Sequence, residues 1–198
     1  GDVLKNVIVI RETETVMVPC GIPYIFGTLY ETHKNIIPDN PIHDANIELL
    51  IDSATKINRE EKTVETTKHG TIQYKKLVIA TGSLPVIPTF IPGYDLENIY
   101  PVYKKEEYLG VVLEKVREAK NVAVIGGGFI GVEFAEQIRV LGKNVTLVEM
   151  AGSCLWQAFP EVNNMQLIAA RKISAHQNAT PDDRQGYGIP DVQKAFVQ

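Results

Sequence analysis

Residues 121–149 read NVAVIGGGFIGVEFAEQIRVLGKNVTLVE. An apolar strand segment, Val122 to Ile125, runs straight into Gly126-Gly127-Gly128-Phe129-Ile130-Gly131. From Val132 to Leu141 apolar side chains recur at helical spacing. Gly142-Lys143-Asn144 turns the chain, and a second apolar strand, Val145 to Val148, ends on Glu149. Strand, glycine turn, helix and strand in this order make a β-α-β unit and place the chain in the α/β class.

The residue types in the turn have physical reasons. Gly126 lets the chain turn tightly off the strand, Gly128 leaves room for backbone to approach a pyrophosphate, and Gly131 lets the helix pack close to the strand. Phe129 and Ile130 fill the two positions between. The free N–H groups and the positive end of the helix then face the phosphates. Glu149 stands eighteen positions after Gly131, where a carboxylate meets a ribose 2′-OH. A carboxylate there repels a 2′-phosphate, so NAD(H) is favoured over NADP(H). A glycine motif alone would also fit a ligand-free strand-to-helix turn. The flanking strands, the helix and the terminal acid favour a dinucleotide.

The 198 residues suffice for one large or two small domains. Composition is that of an ordinary globular protein, 44% hydrophobic and 22% charged, with a net charge of −4 and no long basic run. These values argue against nucleic acid as a partner. No apolar stretch approaches the roughly 20 residues that span a bilayer, and no signal peptide opens the chain. Cys20 and Cys154 are too few for a disulfide framework, which fits a reducing, cytoplasmic location. No metal-ligand cluster is read from the sequence.

Upstream of the β-α-β unit, Val7–Ile10 reads as a buried strand. Pro23 suits the first turn of a helix, and residues 24–30 are apolar and aromatic. Residues 31–46 read as loop. Short strands at Ile47–Ile51, Ala54–Asn58, Lys62–Thr67 and Thr71–Tyr74 make a β-meander. Leu77–Ala80 reads as an apolar strand ending in Thr81-Gly82-Ser83, residues 84–103 as a Pro-rich connector, and Glu106–Ala119 as a helix with Leu109, Val112, Leu113 and Val116 on its apolar face.

Three motifs in this order resemble one family: Pro19-Cys20-Gly21-Ile22-Pro23-Tyr24, Tyr74-Lys75-Lys76-Leu77-Val78-Ile79-Ala80-Thr81-Gly82-Ser83, and Gly126–Gly131 followed by Glu133. Residues 5–150 look like part of an FAD- and NAD(P)-dependent pyridine nucleotide-disulfide oxidoreductase, nearest the single-cysteine coenzyme A-disulfide reductases and NADH oxidases. The resemblance implies a partial two-dinucleotide-domain flavoprotein fold: a partial FAD domain with β-meander at 1–103 and the start of an NAD(H) domain at 104–150. It implies hydride passing from NADH through FAD to a redox cysteine at Cys20, and on to a disulfide, a peroxide or oxygen. It places Thr81 and Gly82 at the turn beside the flavin and Glu133 at the nicotinamide–flavin gap, and implies a homodimer. A helix starting just after Cys20 would favour its thiolate. An inert cysteine, a plain strand-end turn and a solvated helix carboxylate are the plain alternatives for Cys20, Thr81-Gly82 and Glu133.

The chain departs from that pattern in two places. No FAD phosphate loop precedes Val7, and Ile10 followed by Arg11 stands where the family has an acid, with Glu12 nearest. After Glu149 the sequence stops matching. Asn163–Ser174 reads as an amphipathic helix, and Gly186-Tyr187-Gly188-Ile189-Pro190 with Lys194-Ala195 resembles the C-terminal end of a subtilisin-like serine protease. That segment, 151–198, carries no matching protease chemistry: neither Ser153 nor His176 sits in such a motif. The expectation is therefore a chimera-like, helical tail on a reductase fragment that turns over poorly alone. The reading from another class is a non-catalytic nucleotide-binding module.

Overall fold

The computed structural model describes residues 7–158. The chain divides into two compact units, residues 1–118 and residues 119–198.

In the first unit, strand β1 (Ile8–Arg11) leads into two 3-10 turns, Pro19–Gly21 and Pro23–Ile25, a third at Thr32–Asn35, and a five-residue helix α1 (Asn40–Asp44). Strand β2 (Glu48–Ile51) returns beside β1 in parallel, from Ile8 opposite Glu48 to Arg11 opposite Ile51. Three expectations change here. The first strand starts one residue later than read and is not buried: Ile8 is 40% exposed, because β1 has a single strand neighbour among the described residues. The 31–46 stretch holds α1 and a 3-10 turn instead of loop alone. The Ile47–Ile51 segment leaves the meander for β1, since its unbroken Leu49-Leu50-Ile51 run suits a parallel pairing.

The meander itself has three antiparallel strands, β3 (Ala54–Asn58), β4 (Thr63–Thr66) and β5 (Gly70–Gln73), with β4 in the middle. Asn58 starts the first turn by accepting the N–H groups of Glu60 and Glu61, each at 3.1 Å. Asp52, just past β2, braces the second turn. Its carboxylate accepts the N–H groups of Lys68 and His69 and sits 2.7 Å from His69 Nδ1. Leu77–Ala80 forms no strand; Val78 and Ile79 are 85% and 68% exposed. An apolar run needs a partner strand to become a ladder, and none of the described residues pairs with it.

Helix α2 (Glu106–Glu118) buries Leu109, Val112, Leu113 and Val116, the predicted face. Burying each such side chain stabilises by about 1.5–3 kcal/mol. Acids in its first turn and bases in its last suit the helix dipole. The helix lies against the Thr32–Asn35 turn, and the unit's buried apolar side chains also include Met17, Ile22, Ile25 and Phe26. By its contacts this helix falls in the first compact unit.

The second unit is the β-α-β motif: β6 (Asn121–Ile125), α3 (Phe129–Val140) and β7 (Asn144–Val148). The strands pair in parallel, Asn121 opposite Asn144 through Ile125 opposite Val148. Helix α3 packs on both strands. Along each strand half-buried and exposed residues alternate, with Val122, Val124, Val145 and Leu147 on the half-buried face. Both strands read as apolar, and their outer ends are open: Ile125 is 57% exposed and Val148 47%. One helix covers one face of a parallel sheet. The helix read at Asn163–Ser174 and the turn at 186–190 lie outside the described residues.

Candidate functional site

The second unit builds its site where β6 meets α3. Gly126 has φ +107°, a conformation that favours glycine, and its N–H donates to Val148 O at 2.8 Å, extending the strand pairing by one rung. A Cβ on Gly131 would stand 1.7 Å from the Gly126 carbonyl oxygen, so helix and turn touch backbone to backbone. Gly128 is different: it has φ −72° and ψ −177°, open to any residue, and a Cβ there would meet nothing within 4 Å. Its side faces free space at the start of the helix. No side chain caps α3, and the first helical hydrogen bond runs from Val132 N–H to Gly128 O at 3.0 Å. The N–H groups of Phe129, Ile130 and Gly131 thus lie ahead of the helical ladder, as a phosphate-binding helix start requires. The helix begins at Phe129, inside the glycine motif, three residues earlier than the sequence indicated. Phe129 and Ile130 are exposed, at 62% and 65%.

Glu149 ends β7 beside this turn. Its Oε2 accepts the buried Gly127 N–H at 2.5 Å and its Oε1 accepts the Ala151 N–H at 2.8 Å. The Ala151 and Gly127 N–H groups hold its carboxyl below the ordinary glutamate range, against the opposing pull of partial burial. A Cβ on Gly127 would stand 3.0 Å from Glu149 Cβ, Glu149 Oε2 and Cys154 Sγ; this middle glycine is where the acid and the following segment close on the loop. Leu155 N–H completes the closure by donating to Gly127 O at 2.7 Å. The sequence carried no signal for this Ser153–Leu155 strap. Glu133 sits half-buried on α3, one turn in from the helix start.

In the first unit Cys20 occupies the middle of the Pro19–Gly21 turn and is exposed. The helix expected after it is a second three-residue 3-10 turn, which begins at Pro23. Pro23 donates no N–H, and so short a turn carries no helix macrodipole, so the helix-end argument for a thiolate does not apply. Asn35, which the sequence did not single out, is 3% exposed and bonded to Val18, two residues before Cys20. Thr81 and Gly82 lie exposed on the irregular segment after residue 76, with Gly82 at φ +71°. Among the described residues no hydrogen bond joins them to the Cys20 turn. Arg11, at the end of β1, is committed to Asp39, with its two terminal nitrogens 2.6 and 2.7 Å from the carboxylate oxygens.

The chain is similar to proteins named as an NADH oxidase and as persulfide reductases. The chain is 38% identical over 138 residues to the NADH oxidase of Enterococcus faecalis, covering 66% of this chain and 30% of that protein. It is 31% identical over 168 residues to the NAD(P)H coenzyme A polysulfide/persulfide reductase of Pyrococcus horikoshii, covering 81% of this chain and 36% of that one. Among solved structures, an NAD-dependent persulfide reductase from A. fulgidus superposes with a TM-score of 0.65 at 31% identity, over 75% of this chain and 30% of that one. The chain therefore spans about a third of the length of these relatives. Residues 4–186 match the pyridine nucleotide-disulphide oxidoreductase family. That match runs past Glu149 and through most of the segment that resembled a subtilisin-like protease, so the change of family expected there is not supported. The short GYGIP wording at 186–190 was too little sequence to outweigh it. By the extent of that match, this chain belongs to the pyridine nucleotide-disulphide oxidoreductase family.

Proposed function

We propose that this chain is the NADH-accepting and thiol-bearing part of a flavoprotein reductase, delivering reducing equivalents from NADH to Cys20 and on to a coenzyme A-linked disulfide or persulfide, a peroxide or oxygen. One observation carries the reading: Gly128 is a glycine that the fold does not need, at a helix start whose N–H groups are free for an anion. The cofactor at that loop is NAD(H). Phe129, Ile130 and Gly131 N–H groups would hold the pyrophosphate, Gly128 would let it approach, and Glu149 would accept the ribose hydroxyls while turning a 2′-phosphate away. Glu133, on the same helix, would face the nicotinamide end.

FAD, where bound, would relay the two electrons of the hydride between the nicotinamide and a cysteine. This chain's own contribution to that site is Thr81 and Gly82, whose exposed, positive-φ turn leaves backbone open to a ligand. Arg11 does not serve a ribose: Asp39 already holds its guanidinium. With a disulfide acceptor, Cys20, exposed on its turn, would form a mixed disulfide, release one thiol, and regain its own thiol on reduction. For a disulfide acceptor the balance is NADH, a proton and one disulfide giving NAD+ and two thiols. A reducing cytoplasmic setting and a homodimer fit this chemistry.

The relatives' names support the acceptor classes: one is an NADH oxidase and one a coenzyme A polysulfide/persulfide reductase. The test is anaerobic NADH consumption with coenzyme A disulfide, by the FAD-loaded protein and by its Cys20→Ser variant. Loss of consumption in the variant is expected. Equal rates would refute the role of Cys20, and NADH binding without any flavin spectrum would identify a nucleotide-binding module instead.

A further inference from the structure

The Cys20 turn is held from outside by one side chain. Val18 N–H donates to Asn35 O at 2.8 Å, and Asn35 Nδ2 donates back to Val18 O at 3.0 Å. The same Val18 carbonyl accepts Gly21 N–H at 3.0 Å, closing the turn around Pro19 and Cys20. A Cβ on Gly21 would lie 2.0 Å from Asn35 Oδ1 and 3.1 Å from its Cγ. The Asn35 amide thus fills the space that a side chain on Gly21 would take. Asn35 is 3% exposed, whereas Cys20 between the two clamped residues is exposed. Outside the turn, Met17 bridges Ile36, and Ile37 N–H donates to Val16 O at 2.7 Å, so residues 16–18 and 35–37 lie as a short antiparallel clip.

We propose that Asn35, with Gly21 as its socket, is the positioning residue for Cys20. The proposal rests on the reading of Cys20 as the redox cysteine. The thiol itself sits exposed on a three-residue turn. Thiol exchange needs the attacking sulfur, the acceptor sulfur and the leaving sulfur aligned, and a displacement of about 1 Å is worth on the order of a hundredfold in rate. Asn35 fixes the backbone on both sides of Cys20 and leaves the sulfur itself free to react.

The experiment uses Asn35→Ala, Asn35→Asp, Gly21→Ala and the double variant Gly21→Ala/Asn35→Ala. Asn35→Asp keeps size and Oδ1 but removes the donor to Val18, and so tests the proposal even if Asn35→Ala does not fold. Iodoacetamide alkylation of Cys20 is followed by peptide mass against pH, with Cys154 of the same molecules as reference, beside a thermal melt. Without the clamp Cys20 turns inward for part of the time. Its alkylation should slow about tenfold relative to Cys154, its pH profile should change shape, and the double variant should be no worse than either single change, because both break one contact. In the FAD-loaded protein, kcat for disulfide reduction should fall with KM for NADH unchanged. A parent-like Cys20 rate and pH profile in the Asn35 variants, even with a lowered melting temperature, would reduce Asn35 to a structural residue and overturn the proposal. Failure of the underlying reading looks different: Cys20→Ser would still reduce disulfide, whatever the alkylation shows.

Discussion

Gly128→Ala separates what the fold requires from what a ligand requires. The backbone at Gly128, φ −72° and ψ −177°, suits alanine, and a Cβ meets nothing within 4 Å. Exchanging glycine for alanine at a compatible position stabilises by about 0.4–1 kcal/mol through the unfolded chain. Alanine is a poorer N-cap than glycine by a similar amount. The two offset, so the melting temperature should stay within about 2 °C of the parent. Binding should change far more. The new methyl carbon stands about 1.5 Å out from Cα, in the space from which a pyrophosphate reaches the helix-start N–H groups. Losing one charge-assisted hydrogen bond costs about 1.5–3 kcal/mol, or about a 10- to 150-fold rise in Kd. NADH fluorescence titration measures the second effect and a thermal melt the first. An unchanged Kd in a folded Gly128→Ala protein would refute the assignment of the α3 start as the pyrophosphate site. A lowered melting temperature would refute the claim that the fold leaves the position free. Gly131 makes the contrast, since its Cβ would stand 1.7 Å from Gly126 O: there alanine must push the helix off the turn.

Two further outcomes follow from the same contacts. Glu149→Gln sets an amide NH2 against either the Gly127 or the Ala151 N–H and removes the charge facing a 2′-phosphate; parallel titrations should show weaker NADH binding and a preference over NADPH narrowed by about tenfold. Burial alone would raise the Asp52 carboxyl, but His69, the Lys68 N–H and Thr66 outweigh it and hold it far below the ordinary range. A depressed carboxyl contributes stability that is fully present above its unfolded pKa and is lost as pH falls through the folded one. Chemical denaturation of Asp52→Asn should therefore show a stability deficit that is constant at neutral pH and shrinks as pH drops below about 4; a deficit that grows in acid would reverse the assignment.

What the sequence made legible was local. The β6-turn-α3-β7 unit and the α2 face could be read because period and glycine placement are written in consecutive residues. The meander strands at Ala54–Asn58, Lys62–Thr67 and Thr71–Tyr74 were legible for the same reason. Contacts between distant residues were not. Nothing marks Asn35 as the lid over Gly21, because Asn35 returns to Val18 across a sequence separation of 17. Nothing marks Leu155 as a donor to Gly127, and the unbroken Leu49-Leu50-Ile51 run suits a parallel pairing without naming β1 as its partner. Leu77–Ala80 was misread because strand propensity describes a side-chain pattern, whereas a strand needs a neighbour. Family wording at residues 186–190 was too short to carry a change of family, since the reductase-family match runs past Glu149 as far as residue 186.

Everything proposed for this chain turns on whether electrons from NADH arrive at one named sulfur. The FAD-loaded protein, oxidised with coenzyme A disulfide and then mixed anaerobically with NADH, can be quenched with iodoacetamide and mapped by peptide mass. The prediction is that Cys20 carries coenzyme A before NADH and becomes alkylatable after it, while Cys154 is unchanged by either step and Gly128→Ala slows the recovery. A Cys20 that never takes up coenzyme A, or that stays blocked while NADH is consumed, would contradict it.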